Sequence, residues 1–156
     1  MVQRSHSTTI FHPLVSWSWS VAHNGPVIFG WDHKECILCG THTATHAHLF
    51  FECPTSQIVW QTVNARANIY WPCCTWPNLL QWGAIQYCRK DDIQHLIARF
   101  LLSATVYILW HERNKRVFNN QHQSAPSIAE KVFQQVRTQV TTLEFSGNIP
   151  TAIRNI

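Results

Sequence analysis

Charge is scarce in this 156-residue chain: Asp, Glu, Lys and Arg together make up 13% of it, against 46% hydrophobic residues. A composition so poor in charge and so rich in apolar side chains excludes a disordered, solvent-swollen chain. Long hydrophobic runs are missing as well. Residues 100–110 form a strongly apolar stretch, yet it falls short of the about 20 residues needed to cross a bilayer, so no membrane association is expected. Met1-Val2-Gln3-Arg4-Ser5-His6 has no apolar core behind its arginine, so a secretory leader is not expected either. Phosphate-cradling glycine loops and the G-x-S-x-G elbow are absent, which removes the commonest nucleotide-hydrolysing and serine-hydrolase readings. The one adjacent acid pair is Asp91-Asp92, at the start of an apolar helical stretch. Helix capping explains it better than a metal-dependent nuclease or polymerase. Internal repeats and low-complexity runs are also lacking.

What is present is an aromatic load of eight tryptophans and eight phenylalanines, and six cysteines. The aromatics supply a core, at roughly 1.5–3 kcal/mol for each large side chain fully buried. Without a leader, the cysteines are expected in a reducing, intracellular setting (nucleus or cytoplasm), where thiols act as metal ligands or small hydrophobes rather than disulfide partners. Four potential ligands stand close together as Cys36-Ile37-Leu38-Cys39 followed by His48-Leu49-Phe50-Phe51-Glu52-Cys53-Pro54, a C-x2-C-x8-H-x4-C pattern. Cysteines two residues apart can aim their sulfurs at one point, and a histidine and cysteine can do so from the far side of a turn. Cys36, Cys39, His48 and Cys53 would form a closed Cys3His site, structural rather than catalytic, with Zn2+ the default ion and copper or iron the alternatives. His33, His42 and His46 lie in or beside the same loop. His48 is preferred to His46 because Leu49, Phe50 and Phe51 can anchor it, while His46 would lengthen the gap to Cys53. The plainer alternative is that these cysteines are buried hydrophobes beside surface histidines. A cysteine–histidine hydrolase is a further alternative. Cys73-Cys74 and Cys88 read as buried or incidental.

Around this segment the chain reads as mainly α. Val15-Ser16-Trp17-Ser18-Trp19-Ser20-Val21 alternates like a strand, and Asn24-Gly25-Pro26 is a turn. Pro54 opens a helix that Thr55 or Ser56 would cap, with Ile58, Val59, Thr62 and Val63 as its apolar stripe, Trp60 alongside, Ala67 extending it and Asn68 as its stop. Two prolines make residues 70–77 an aromatic-packed loop, and a short helix follows over 78–87. Asp91 or Asp92 caps the longest helix, whose Ile93, Leu96, Ile97, Phe100, Leu101, Ala104, Ile108 and Leu109 recur at three and four. That helix is expected to end in the cations of His111-Glu112-Arg113-Asn114-Lys115-Arg116. After a polar linker over 119–123, Ser127-Ile128-Ala129-Glu130 reads as a capping box, Ile128, Val132, Val136, Val140 and Leu143 as a core stripe, and Gly147 as the end.

The formal charge is +4. Arg89, Lys90, Arg99, Arg113, Lys115 and Arg116 bias the second half toward positive charge. With exposed aromatics they could hold a nucleic-acid backbone. Ordinary solvation and helix-end charge is the alternative.

Cys36-Ile-Leu-Cys39-Gly40, then His48-Leu-Phe-Phe-Glu-Cys53-Pro54, then Ser56 and Val59-Trp60, closely resembles the zinc-binding domain of plant non-LTR (LINE-type) retrotransposon reverse transcriptases. Val106-Tyr-Ile-Leu-Trp110-His111-Glu112-Arg113-Asn114-Lys115-Arg116-Val117-Phe118 resembles the segment that follows it there. The resemblance spans roughly residues 31–118. It implies that Cys36, Cys39, His48 and Cys53 hold the metal, and that the module assists nucleic-acid engagement beside a polymerase rather than performing chemistry. The polymerase and RNase H motifs are absent from this sequence, and the lead-in over 15–29 is broken by Gly25-Pro26, so a piece detached from its parent element is expected.

The resulting expectation is a small, mainly α domain with an irregular zinc-stapled N-terminal region. It comprises an irregular lead-in (1–30), a Cys3His module with the first helix (31–67), a helical segment (68–120) and a C-terminal helix with its tail (121–156). Its expected function is that of a non-enzymatic, Zn2+-binding accessory module that binds RNA or DNA, with the reverse transcriptase of a parent element as a further partner. The alternative is a zinc-stapled protein-interaction module.

Overall fold

A computed structural model describes residues 35–145 apart from 73, 90 and 91. The strand-like stretch and turn expected over 15–26, His33, Cys73, Lys90, Asp91 and Gly147 lie outside the described residues. Among the described residues the chain is mainly helical and contains no strand. A π-helical turn, His48–Glu52, is followed by α1 (Pro54–Ala67), α2 (Trp76–Gln86), α3 (Ile93–Asn119) and α4 (Ala125–Phe145).

Helix α4 packs against both α1 and α3, and the π turn is wedged against α1 and α3. The apolar stripes read from the sequence meet here: Val59 and Val63 of α1, Ile97, Phe100, Leu101, Ala104 and Leu109 of α3, and Ile128, Val132, Val136 and Val140 of α4 are all buried. Ile58 departs from the expected stripe and is 49% exposed, its place on the inner face taken by Trp60. The indole of Trp60 has a reason to be inside: its Nε1 donates to Phe50 O at 2.7 Å. Arg66 ties α1 to α4 by pairing with Glu130 and by lying 4.3 Å from the centre of the Phe133 ring.

Several helix ends differ from expectation. Cys53, not Thr55 or Ser56, is the N-cap residue of α1, and no side chain caps that helix. The Thr55 hydroxyl donates to Leu38 O at 3.1 Å and the Ser56 hydroxyl to Leu49 O at 2.5 Å, so both serve tertiary contacts. Helix α2 starts at Trp76, two residues early, because Pro77 is tolerated in a first turn. Asp92 caps α3 as expected, accepting from the Gln94 and His95 amides. That helix runs on to Asn119 and closes at Asn120, in the left-handed region. Helix α4 begins before Ser127, and Ser124 Oγ accepts from Ser127 N at 3.4 Å. The expected capping box does not form because the helix already begins at Ala125, which places Ser127 inside the first turn, and Glu130 pairs with Arg66. Asn68 ends α1 in the left-handed conformation, as its residue type suggested.

Helix α3 is longer than the contiguous apolar run inside it. By length and composition its 27 residues could cross a bilayer, but half of its most apolar window is buried inside the fold. That is the pattern of a core helix. The loop over 70–75 and α2 add an aromatic cluster to the same core, in which Trp71 lies 5.7 Å from Trp82 and 5.0 Å from Tyr87, ring centre to ring centre.

Candidate metal centre

The first two ligands come from a tight loop closed by backbone bonds. Gly40 N donates to Cys36 O at 2.7 Å and Cys36 N to His42 O at 2.6 Å, while Glu35 and Thr43 form an isolated antiparallel bridge. Gly40 sits at φ +70 with open space where a Cβ would project, so backbone conformation rather than crowding calls for glycine there. The loop turns amides onto its own sulfurs: Leu38 and Cys39 N–H groups reach Cys36 Sγ, and the Thr41 N–H and hydroxyl reach Cys39 Sγ. Donors of this kind favour the thiolate.

The second pair depends on the π turn. Cys53 N donates to His48 O at 2.7 Å, an i→i+5 bond that closes a turn one residue wider than an α-helical one. In an α-helix, residues five apart point about 140° away from each other. The wider turn stacks them on one side, which is why an H-x4-C spacing can present both groups to one ion. Widening the turn leaves carbonyls without helical partners, and α1 supplies them through Ser56 to Leu49 O and Trp60 to Phe50 O. The Thr45 hydroxyl accepts from His48 N at 3.1 Å and steadies the turn's start.

Cys36, Cys39, His48 and Cys53 are thereby brought together, with all four ligand atoms within 4.8 Å of one another. Cys36 Sγ lies 3.9 Å from Cys53 Sγ, and Cys39 Sγ lies 3.3 Å from His48 Nε2. A tetrahedral ion with bonds of about 2.3 Å to sulfur and about 2.0 Å to nitrogen requires edges of roughly 3.5–3.8 Å. The Cys36–Cys53 and Cys39–His48 separations bracket that range, and the set as a whole, within 4.8 Å, would draw in slightly around such an ion. Cys36, Cys53 and His48 are buried and Cys39 is half-buried. His46 is not in the cluster; its ring stacks on Phe50. His42 lies outside the four as well, but its ring stacks on His48 with centres 4.9 Å apart and its Nδ1 is 3.9 Å from Cys39 Sγ.

Burial pushes the Cys36 thiol up to about 11, against the pull of the Cys39 and Leu38 amides. Burial also pushes Cys39 upward, but the Thr41 amide and hydroxyl, then His48 and His42, bring it down to about 5. The thiolate of Cys39 is thus favoured near neutral pH, and Cys36 must shed its proton to an incoming ion.

The sequence reading missed the part played by α3. Glu112 and Arg113 are buried. Arg116 Nε pairs with Glu112 Oε1 at 2.8 Å, and the Arg116 side chain is 8% exposed. The same guanidinium donates to Leu38 O at 3.1 Å and Gln123 O at 2.9 Å. Arg113 lines a cavity of about 10 Å³ together with Cys36, Ile37 and Leu49. Burial pulls its guanidinium below the usual range while the Cys36 thiolate pulls it back up. Two of the cations expected on a basic surface are therefore interior groups, and one of them, Arg116, holds the cysteine loop. Arg99 is likewise committed, donating to Tyr87 O at 3.1 Å. Cys88 is exposed, and Cys74 packs partly against the core. No family model matches the chain, and no curated protein or solved structure matches it.

Proposed function

We propose that this chain is a non-catalytic zinc-binding module, derived from a retrotransposon reverse transcriptase, that engages RNA or DNA. The convergence of three sulfurs and one imidazole nitrogen within 4.8 Å carries the zinc reading. Zinc suits a tetrahedral thiolate-rich set, and four protein ligands leave no open position for a substrate. When bound, the ion cross-links the cysteine loop to the π turn. Three thiolates around a divalent cation leave one net negative charge, and the buried Arg113 stands where it offsets that charge.

A cysteine–histidine hydrolase is the weaker reading despite the short Cys39–His48 distance. The cavity beside Cys36 holds about one water, too little for a substrate, and two further thiols crowd the same point. The alternative of a protein-interaction module draws on the burial of Arg113 and Arg116, which removes charge from the surface, and on exposed Tyr70, Ile85 and Phe118. The origin reading rests on the two matching motifs. In the fold the two motifs meet, Arg116 of the second bonding directly to Leu38 of the first.

Titration of the zinc-loaded protein with single-stranded RNA and DNA at two salt concentrations tests the function. A nucleic-acid engager loses affinity steeply as salt rises. Absence of binding at low salt would leave the protein-interaction reading in its place.

A further inference from the structure

We infer that the groove between α3 and α4 is a phosphate-binding site, a proposal that rests on the nucleic-acid reading and assigns it a surface. The cavity there measures about 230 Å³. Lys115 and His111 line it from α3, and Lys131 and Gln135 from α4. Both lysines are half-buried. Neither has an ion-pair partner among the described residues, whose bridges involve other cations.

Among the described residues the one carboxylate on the wall is Glu112, and it is already committed: its Oε1 accepts from Arg116 Nε at 2.8 Å and from Gln123 N at 2.9 Å. The groove therefore presents two uncompensated ammonium groups, an imidazole and an amide around one space. An anion placed between two ammonium groups is attracted by both. A tetrahedral oxyanion matches this set, since lysine acts as a point-charge donor to phosphate and the amide adds a neutral donor.

The size of the groove narrows the ligand. Sites that enclose a drug-sized molecule run to about 300–1,000 Å³. This smaller space suits a phosphate group whose attached chain remains outside, as in a nucleic-acid backbone. Free inorganic phosphate shares that chemistry.

The test uses the full zinc-loaded chain, its K115Q/K131Q double variant and each single variant, with R137Q as the single-charge control outside the groove lining. Binding of inorganic phosphate and of a single-stranded oligonucleotide is measured across a salt series, and zinc content and helicity confirm that each variant is folded. The proposal expects K115Q/K131Q to lose phosphate binding and to lower the oligonucleotide salt slope by about 1 for each lysine removed, with the control much less affected. Oligonucleotide binding that R137Q weakens as much as either single lysine variant, or that K115Q/K131Q leaves intact, overturns the groove but not the nucleic-acid reading. Lysine-dependent binding of phosphate without any oligonucleotide binding supports the groove as a free-phosphate site and overturns the nucleic-acid reading. Binding of neither overturns both.

Discussion

Arg116 donates a hydrogen bond of 3.1 Å to the carbonyl of Leu38, a residue 78 positions earlier that lies between the first two cysteines. A guanidinium near the end of α3 thus holds the loop that carries half of the candidate metal centre. Its planar fork also reaches Glu112 and Gln123, so one side chain joins the loop, the helix and the linker into α4.

Replacing Arg116 should therefore be costly. Arg116→Ala leaves the buried Glu112 carboxylate without its cation, and breaking a buried pair in this way costs about 3–5 kcal/mol. Arg116→Lys should recover little, because a point-charge ammonium cannot span the same acceptors. Urea denaturation of the zinc-loaded variants reads both effects, and near-wild-type stability of Arg116→Lys would contradict the bridging role.

The ligand assignment predicts a contrast between neighbouring histidines. His48→Ala should abolish stoichiometric zinc binding, whereas His46→Ala should keep it, since His46 lies outside the cluster. Metal analysis after dialysis decides between them. Retention by His48→Ala with loss by His46→Ala would reverse the assignment.

Zinc affinity should rise with pH. Cys36, held up to about 11 by burial, must release a proton to become a ligand, so acid favours the metal-free form. In the metal-free protein Cys39, brought down to about 5 although burial opposes it, favours the folded state increasingly as pH rises from there toward the unfolded thiol's ordinary value. That contribution is lost as pH falls through about 5. Alkylation at neutral pH after chelation should label Cys39 before Cys36, and zinc should protect both while exposed Cys88 stays reactive. Early labelling of Cys36 would show that its burial is misassigned.

Gly83→Ala should destabilise the aromatic unit even though alanine is the better helix former. A Cβ at Gly83 would lie 2.6 Å from a ring carbon of Trp71. That indole is 7% exposed and held by Trp82 and Tyr87. Overpacking of this kind costs about 1–3 kcal/mol, against about 1 kcal/mol gained from helix propensity. Thermal unfolding followed by tryptophan fluorescence checks the sign, and a raised melting temperature would show that the ring moves aside easily.

The helical character of the chain, the core stripes of α3 and α4 and the Asp92 cap were legible because they depend on local spacing and residue type. The four-ligand pattern was equally legible, as cysteine and histidine are few enough in kind for their spacing to stand out. Ile58 was misread because a helix face says nothing of how its partner curves, and Trp60, with a carbonyl to bond, took the inner position. The capping box at Ser127 failed because the helix starts at Ala125 with Ser124 ahead of it, while Glu130 pairs with Arg66, 64 residues away in sequence.

The sequence by itself determined that Cys36, Cys39, His48 and Cys53 were the ligands to consider, since spacing and donor chemistry are local properties. Tertiary structure decided how an H-x4-C pair can face one ion, through a π turn whose stray carbonyls Ser56 and Trp60 satisfy. It also decided that Arg113 and Arg116 are interior groups rather than a basic surface, because burial and pairing depend on which distant groups the fold brings beside them. Among the described residues Lys115 and Lys131 line one groove, one from each of two helices, a juxtaposition that exists only once α3 and α4 have packed.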